Sequence, residues 1–226
     1  MKISGLSHAR GIFFIGPTSI SEVKDSTVYE PVKKTALWQL ELLMKAWRSL
    51  SLPFQAAILL PTAVFLAAGV WQQEWFWLHA AILYLISFHF WFPQQLRRYH
   101  GAEHMAFTIR RQRLPQAKWM EADVRNAGCS TAPAFTACLY LAVLLPVHGL
   151  EMHGFLLIAA ALGAALLTEL LRRRFPERLF FLTRVSGSLQ KNATTALPNQ
   201  AAVACAVESL EKLINCEKTP VSAKSR

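Results

Sequence analysis

Charged residues are scarce in this chain, and two long stretches contain almost none. Aspartate, glutamate, lysine and arginine make up 17% of the 226 residues, whereas hydrophobic residues make up 53%. A soluble protein of this length places charges over its whole surface, so a purely soluble protein of one or two domains is disfavoured. The two nearly uncharged stretches, 53–92 and 134–171, are instead typical of helices that lie in lipid.

Two further features are missing. The spacing of the four cysteines fits neither a zinc ribbon nor a disulfide scaffold, so reduced thiols are expected at Cys129, Cys138, Cys205 and Cys216. The apolar run at 11–16 is too short for the hydrophobic region of a signal peptide, so no such peptide is expected at this end of the sequence.

The apolar segments predict four transmembrane helices, at 53–71, 75–92, 134–147 and 154–171. Their lengths are close to what a bilayer requires, and the short turn at 72–74 pairs the first two as a hairpin. Amphipathic spacing predicts two further helices outside the bilayer. The predicted fold class is therefore an all-α membrane protein, with four transmembrane helices in two hairpins plus amphipathic cytosolic helices.

The distribution of basic residues predicts the orientation in the membrane. Of the 24 lysines and arginines, seven lie in 1–52, seven in 93–133 and ten in 172–226, and none lies in the turns at 72–74 and 148–153. Cytosolic segments carry the excess of basic residues in membrane proteins. We therefore expect a multi-pass protein of the bacterial inner (plasma) membrane with both termini in the cytosol.

These boundaries divide the chain into five segments. They are a cytosolic N-terminal segment 1–52 with an amphipathic helix at 35–50, a first transmembrane hairpin 53–92, a cytosolic loop 93–133, a second transmembrane hairpin 134–171, and a cytosolic C-terminal segment 172–226. The last segment is predicted to contain an amphipathic helix at 200–214 and a disordered tail from Glu217.

The cytosolic loop contains the motif H-x-x-E-H, formed by His100, Glu103 and His104. On a helix, residues four apart share a face, so His100 and His104 can present two imidazoles to one metal ion, with Glu103 beside them as a general base. Such a site needs a third ligand. Glu169 is the candidate, because a carboxylate near the end of an apolar helix is costly without a function. Cys129, which precedes the third apolar segment, is a further candidate ligand or nucleophile.

Simpler interpretations stand beside the metal site. Three specified residues in a pentapeptide also arise by accident, and Gly101 weakens a helix by about 1 kcal/mol. Glu169 is also positioned to pair with Arg172 or Arg173 one turn later, and Cys129 to act as a small buried apolar residue.

The motif extends to residues 98–104, with the sequence RYHGAEH, and further matches lie at 126–131, at 168–170 and in the segment around Thr194. Together they resemble the YqhQ family of bacterial membrane proteins, which are described as predicted metal-dependent enzymes of unknown function. The resemblance covers roughly residues 90–214 and a shortened N-terminal part. Two positions depart from the family pattern: a family histidine reads Asn126 here, and a family glutamate reads Arg10. The resemblance implies a metal-dependent membrane protein that keeps all five candidate site residues.

The sequence thus predicts an integral membrane protein with a divalent metal site, zinc by its ligand types, at the cytosolic face, and a metal-dependent hydrolase as its activity. The alternative is a non-catalytic structural or assembly subunit of a larger membrane complex. A transporter fits less well, because Glu169 is the one carboxylate inside a predicted span. Expected partners are membrane lipid, attracted by the net charge of +10, and a protein on the cytosolic side or in the membrane. No nucleic acid is expected.

Overall fold

The computed structural model describes residues 1–149 and 154–218, which form two compact units. The first unit comprises residues 1–51, 93–126 and the chain from Thr195 on, and the second comprises residues 52–92 and 127–194. The described residues are mostly helical, with 69% of them in helices. Of the predicted disordered tail, Glu217 and Lys218 belong to the last helix, and the rest lies outside the described residues, as does most of the predicted turn at 148–153.

A five-stranded antiparallel sheet occupies the N-terminal segment, so the prediction of an all-α protein is wrong for this region. Its strands are β1 (Ser4–His8), β2 (Gly11–Ile15), β3 (Ser19–Lys24), β4 (Thr27–Val28) and β5 (Val32–Lys33). The first three form a meander, and both short strands pair with β3. The turn between β3 and β4 is built from Asp25 and Ser26, which both have a positive φ, as two-residue hairpins require.

The sheet was not predicted because its central strand is covered on both faces. Phe14 packs with a cluster of helical residues, whereas Phe13, on the opposite face, packs with Leu42 of helix α1 (Trp38–Ser49). A strand buried on both faces is a continuous apolar run without the alternation that identifies a half-exposed strand. The run of apolar residues from Ile12 to Ile15 has this character.

Two longer helices complete the first unit, α4 (Gln94–Gln112) and α8 (Gln200–Lys218). They pack against each other, and both contact the sheet. The predicted apolar face of the C-terminal helix is buried, with exposed fractions of 0% to 3% for Val203, Val207, Leu210 and Ile214. Helix α1 uses Leu42 for its sheet contact and leaves Leu40 and Met44 exposed, as is Leu37 directly before the helix.

Among its described residues, the second unit contains five α-helices: α2 (Leu52–Gln72), α3 (Trp75–Ser87), α5 (Thr131–Leu144), α6 (Gly154–Arg174) and α7 (Phe180–Leu189). The first four overlap the four apolar segments of the sequence, but α3 ends five residues before the predicted segment 75–92, and α5 begins and ends three residues before the predicted segment 134–147. Helices α2 and α3 pack as a pair, as do α5 and α6, and α3 also contacts α5.

Two of these helices, α2 and α6, are long and apolar enough to cross a membrane. The count reaches three if Trp75–Phe90 and the following helix Gln94–Gln112 are taken as one broken span, and α5 is shorter. Much of the apolar surface of α2 and α6 is exposed, including Leu60, Val64, Leu166 and Leu170. Apolar surface of this extent is stable in lipid and unstable in water, so these helices are compatible with a membrane protein.

Hydrogen bonds of side chains connect the helices of the second unit. His79 Nε2 of α3 lies 2.9 Å from the carbonyl oxygen of Leu141 in α5, and the hydroxyls of Tyr140 and Thr168 share a 2.9 Å bond between α5 and α6. Such bonds fix the register of the helices that they join.

Candidate metal centre

Helix α4 positions the H-x-x-E-H residues on a rigid and almost completely buried segment. Residues 100 to 106 are all buried, and the helix ends at Arg113 in a left-handed conformation with φ of 53°. Gly101 is required here by packing. A Cβ at this position would lie 2.4 Å from the carbonyl oxygen of Ala196, whose N–H donates to the carbonyl of Arg97. The glycine therefore lets the segment before α8 approach the helix closely.

The two histidines lie one above the other on this helix. Their ring centroids are 4.4 Å apart, and their exposed fractions are 8% for His100 and 1% for His104. Burial of this kind separates the imidazoles from bulk water, and their i, i+4 spacing directs both rings to one side of the helix.

His104 has the hydrogen bond expected of a metal-binding imidazole. Its Nδ1 lies 2.5 Å from the carbonyl oxygen of Val124, which can only accept, so Nδ1 carries the proton and Nε2 keeps its lone pair. Burial lowers the pKa of His104 to about 4, although the Val124 carbonyl and Asp123 oppose this effect. The imidazole is therefore neutral at pH 7, which is the form that binds metal.

Glu103 is held by the first strand of the sheet. Ser7 Oγ donates a hydrogen bond of 2.5 Å to Glu103 Oε2, and a Cβ on Gly5 would lie 2.3 Å from Oε1. His100 Nδ1 is 3.8 Å from the same Oε2, which is an electrostatic contact and too long for a hydrogen bond. Burial raises the pKa of Glu103 to about 7, and the Ser7 hydroxyl opposes the rise.

Ser7 and Gly5 were not predicted from the sequence. They precede Glu103 by 96 and 98 positions and belong to a strand whose existence was not foreseen. No local signal marks them, since a serine and a glycine near the N-terminus are common in any chain. Their role follows from the pairing of β1 with the rest of the sheet and the packing of α4 against it.

Cys129 belongs with the two histidines among the described residues that could hold a metal ion. One ligand atom from each of His100, His104 and Cys129 lies within 4.8 Å of the others. Bond lengths of about 2.0–2.3 Å to nitrogen and sulfur place the ligands of a tetrahedral zinc ion about 3.3–3.8 Å apart.

The sulfur of Cys129 has two polar contacts with Thr131. The backbone N–H of Thr131 donates to Sγ at 3.5 Å, and Thr131 Oγ1 lies 3.2 Å from Sγ. Thr131 is the first residue of α5, so the sulfur lies at the positive end of that helix. Two imidazoles and a cysteine sulfur form a ligand set typical of zinc and of other late first-row metals.

Glu169 has the arginine partners that the simpler interpretation predicted. Its carboxylate accepts hydrogen bonds from Arg172 Nε at 2.8 Å, Arg172 Nη2 at 2.9 Å and Arg173 Nε at 2.6 Å. Arg172 also donates to the carbonyl of Ala127. These bonds neutralise the buried carboxylate within its own helix and loop. A role for Glu169 as a metal ligand stays a prediction.

The comparisons with known proteins do not assign this chain to a group. No protein-family model matches it, and searches of curated proteins and of solved structures gave no match.

Proposed function

We propose that this chain is a multi-pass membrane protein that holds a divalent metal ion, zinc by its ligand types, through His100, His104 and Cys129. The observation that carries the proposal is the state of His104, whose Nδ1 is occupied by the Val124 carbonyl while Nε2 keeps a lone pair beside a second imidazole and a thiol. A histidine that binds a metal almost always donates its other ring N–H to a carboxylate, a backbone carbonyl or water, and His104 has such an acceptor.

The topology proposed with this site has four spans, formed by α2, α3, α5 and α6, with both termini in the cytosol. The support is the complete absence of lysine and arginine from the two hairpin turns, in a chain with 24 of them. The inner membrane of a bacterium is the proposed location, and the resemblance of residues 98–104 to the YqhQ family favours it.

We further propose hydrolysis as the reaction. A bound divalent ion would supply a water whose pKa is near 7 and a Lewis acid for the substrate oxygen. Glu103, one residue before His104, would accept the proton of the attacking water and return it to the leaving group. Ser7 would hold the carboxylate in place through the bond to Oε2, which leaves Oε1 for the proton transfer.

A structural or assembly subunit is the second proposal, and one observation favours it. Glu103 is 6% exposed and lies against Gly5 and Ser7, so the histidines and the carboxylate could act as a connection between α4 and β1 without any turnover. In that case a metal, or hydrogen bonds alone, would stabilise the protein within a larger complex.

Metal analysis of the protein purified in detergent without chelator tests these proposals. We expect stoichiometric zinc in the wild type, its loss in His104→Ala and Cys129→Ser, and its retention in the matched control Cys138→Ser. Retention in Glu103→Gln would separate the base from the ligands, and Glu169→Gln decides whether that carboxylate is also a ligand. A wild-type protein that contains no metal and takes up no zinc contradicts both the site and the hydrolase.

A further inference from the structure

A second cluster of functional groups lies in the first unit, around a cavity of about 300 Å³ beside the sheet. The residues that matter for its chemistry are His8, Arg10, Glu22, Lys24, Lys45 and Arg48. They come from the end of β1 and the turn after it, from β3 and from α1. None of them is part of the proposed metal centre.

The cavity has an excess of positive charge. Four cationic side chains line it, and two of them are neutralised locally, Arg10 by Asp25 and Lys45 by Glu22 at 3.1 Å. Among the described residues, Lys24 and Arg48 have no carboxylate partner. Two cations without a counter-charge, one from β3 and one from α1, give the cavity a net positive charge, which attracts anions.

His8 contributes a buried donor that has no acceptor. Its Nδ1 accepts the backbone N–H of Arg10 at 3.3 Å, so Nε2 carries the proton of the neutral ring. Within the part of the chain that the structure describes, Nε2 is buried and has no hydrogen-bond partner, while His8 as a whole is 3% exposed. A buried donor without an acceptor is unfavourable, and buried polar groups in native proteins nearly always have a partner.

We infer that this cavity binds a phosphate group, with His8 Nε2 as a neutral donor and Lys24 and Arg48 as the charged ones. Counting the two local ion pairs, the lining is left with two unpaired positive charges, which match the charge of a phosphomonoester. A phosphate has enough acceptor oxygens to serve a ring N–H, an ammonium and a guanidinium together.

The position of the cavity along the chain allows two sources for that phosphate. Arg48 precedes the first residue of α2, a candidate membrane span, by four positions, so it can lie at most about 14 Å from the start of that span. This places it within reach of lipid headgroups. Helix α1, which carries Arg48, exposes Leu40 and Met44, as interfacial helices do. A soluble phosphomonoester has the same chemistry as the headgroup of phosphatidic acid.

Thermal unfolding of the full-length protein tests the site in two arms. In detergent, sodium phosphate is compared with sodium chloride at equal ionic strength, and in nanodiscs, phosphatidylcholine is compared with its mixture with phosphatidic acid. We expect the wild type to be stabilised by phosphate in both arms. A response to phosphatidic acid alone assigns the lipid headgroup as the ligand, and a response to inorganic phosphate assigns a free phosphomonoester as well.

Variants separate this site from a general effect of charge. Arg48→Gln should weaken the apparent phosphate affinity about tenfold or more, the effect of removing one charged hydrogen bond, whereas Lys33→Gln, an exposed lysine of the same sheet, should leave it unchanged.

Two variants of His8 test the two ring nitrogens separately. His8→Asn keeps an acceptor near the position of Nδ1 and should lose the stabilisation by phosphate. His8→Gln keeps a donor near the position of Nε2 and should retain that stabilisation. Equal phosphate responses in the wild type, Arg48→Gln and Lys33→Gln would overturn the inference, as would no response in either arm.

Discussion

His104 Nδ1 lies 2.5 Å from the carbonyl oxygen of Val124, twenty residues later in the chain. The loop that carries this carbonyl is itself attached to α4, because Thr108 Oγ1 donates to the carbonyl of Asp123 at 3.0 Å. A hydroxyl one turn along the same helix therefore positions the group that orients the imidazole.

The first prediction concerns this support. Thr108→Val removes the hydroxyl and keeps the shape, so the loop at Asp123 loses its attachment and the orientation of His104 becomes less defined. We expect the zinc affinity to fall about tenfold, within the range for groups behind a metal ligand. Competition with a coloured chelator measures it. Thr136→Val is the matched control, since its hydroxyl bonds only to backbone carbonyls of its own helix. Equal affinities for the two variants would contradict the prediction.

The second prediction concerns the carboxylate of Glu103. Ser7→Ala removes the hydroxyl that donates to Oε2 and leaves a buried carboxylate with one donor fewer. We expect the free energy of unfolding to fall by about 1–3 kcal/mol, as for other buried polar groups that lose a partner. Thermal unfolding in detergent, compared with Ser4→Ala on the exposed end of the same strand, provides the measurement. A Ser7→Ala protein as stable as Ser4→Ala would show that the bond contributes nothing.

The third prediction concerns the glycine within the motif. Gly101→Ala places a methyl group 2.4 Å from the carbonyl oxygen of Ala196, so the segment before α8 must move. We expect a loss of about 1–3 kcal/mol of stability, typical of overpacking at a close backbone contact. Gly163→Ala is the control, because a Cβ there meets nothing within 4 Å, and it should be tolerated. A thermal shift assay that ranks the two variants in the opposite order would refute this interpretation.

The fourth prediction is a dependence of stability on pH that originates at His8. Burial, together with Lys24, Lys45 and Arg10, lowers the pKa of His8 from 6.5 to about 4, and Asp25 opposes this shift. Between these two values the unfolded chain binds a proton that the folded chain does not, so stability falls as the pH decreases. This contribution to the free energy of unfolding is fully present above about pH 6.5. Its loss at low pH lowers the free energy of unfolding by roughly 3 kcal/mol.

His8→Asn removes the titrating ring, so its unfolding midpoint should change less than that of the wild type between pH 7 and pH 4. Melting curves recorded in matched buffers without phosphate make the comparison. If the two proteins lose stability in parallel, His8 is not the group responsible.

The fifth prediction concerns the topology. A cysteine placed at Gln73, in the turn between α2 and α3, should react with a membrane-impermeant thiol reagent from outside the inner membrane and not from the cytosol. A cysteine at Lys33 should behave in the opposite way. Labelling of intact spheroplasts and of inverted vesicles distinguishes the two sides, in a protein whose native cysteines are replaced by serine. Cytosolic labelling at Gln73 would exclude the four-span arrangement.

Local signals in the sequence were sufficient for several elements. The apolar segments at 53–71 and 154–171 correspond to α2 and α6, because continuous apolar runs bounded by polar residues can form only one kind of structure in lipid. The i, i+4 spacing of His100 and His104 was interpreted as one helical face, and α4 has that form. The pairing of Glu169 with its arginines also follows from spacing alone, as i, i+3 and i, i+4 neighbours.

Contacts between residues that are distant in the sequence could not be predicted from such local signals. Glu103 is covered by a strand that ends 95 positions earlier in the chain. The hydrogen-bond acceptor for His104 is a backbone carbonyl, a group that every residue possesses and that no sequence motif marks. The cavity around His8 likewise combines a hairpin turn with a helix about forty residues later. A sequence motif specifies side chains, whereas these relationships depend on backbone groups and on pairing.

The sequence by itself determined that this chain has lipid-compatible helices, an amphipathic C-terminal helix and two histidines on one helical face, because each depends on the periodicity or composition of a continuous segment. Only the tertiary structure decided that the N-terminal segment is a sheet covered on both faces, that Ser7 holds Glu103 and that Val124 orients His104. The physical reason is that strand pairing and buried hydrogen bonds depend on which distant groups meet, and burial then decides the protonation of each group that they enclose.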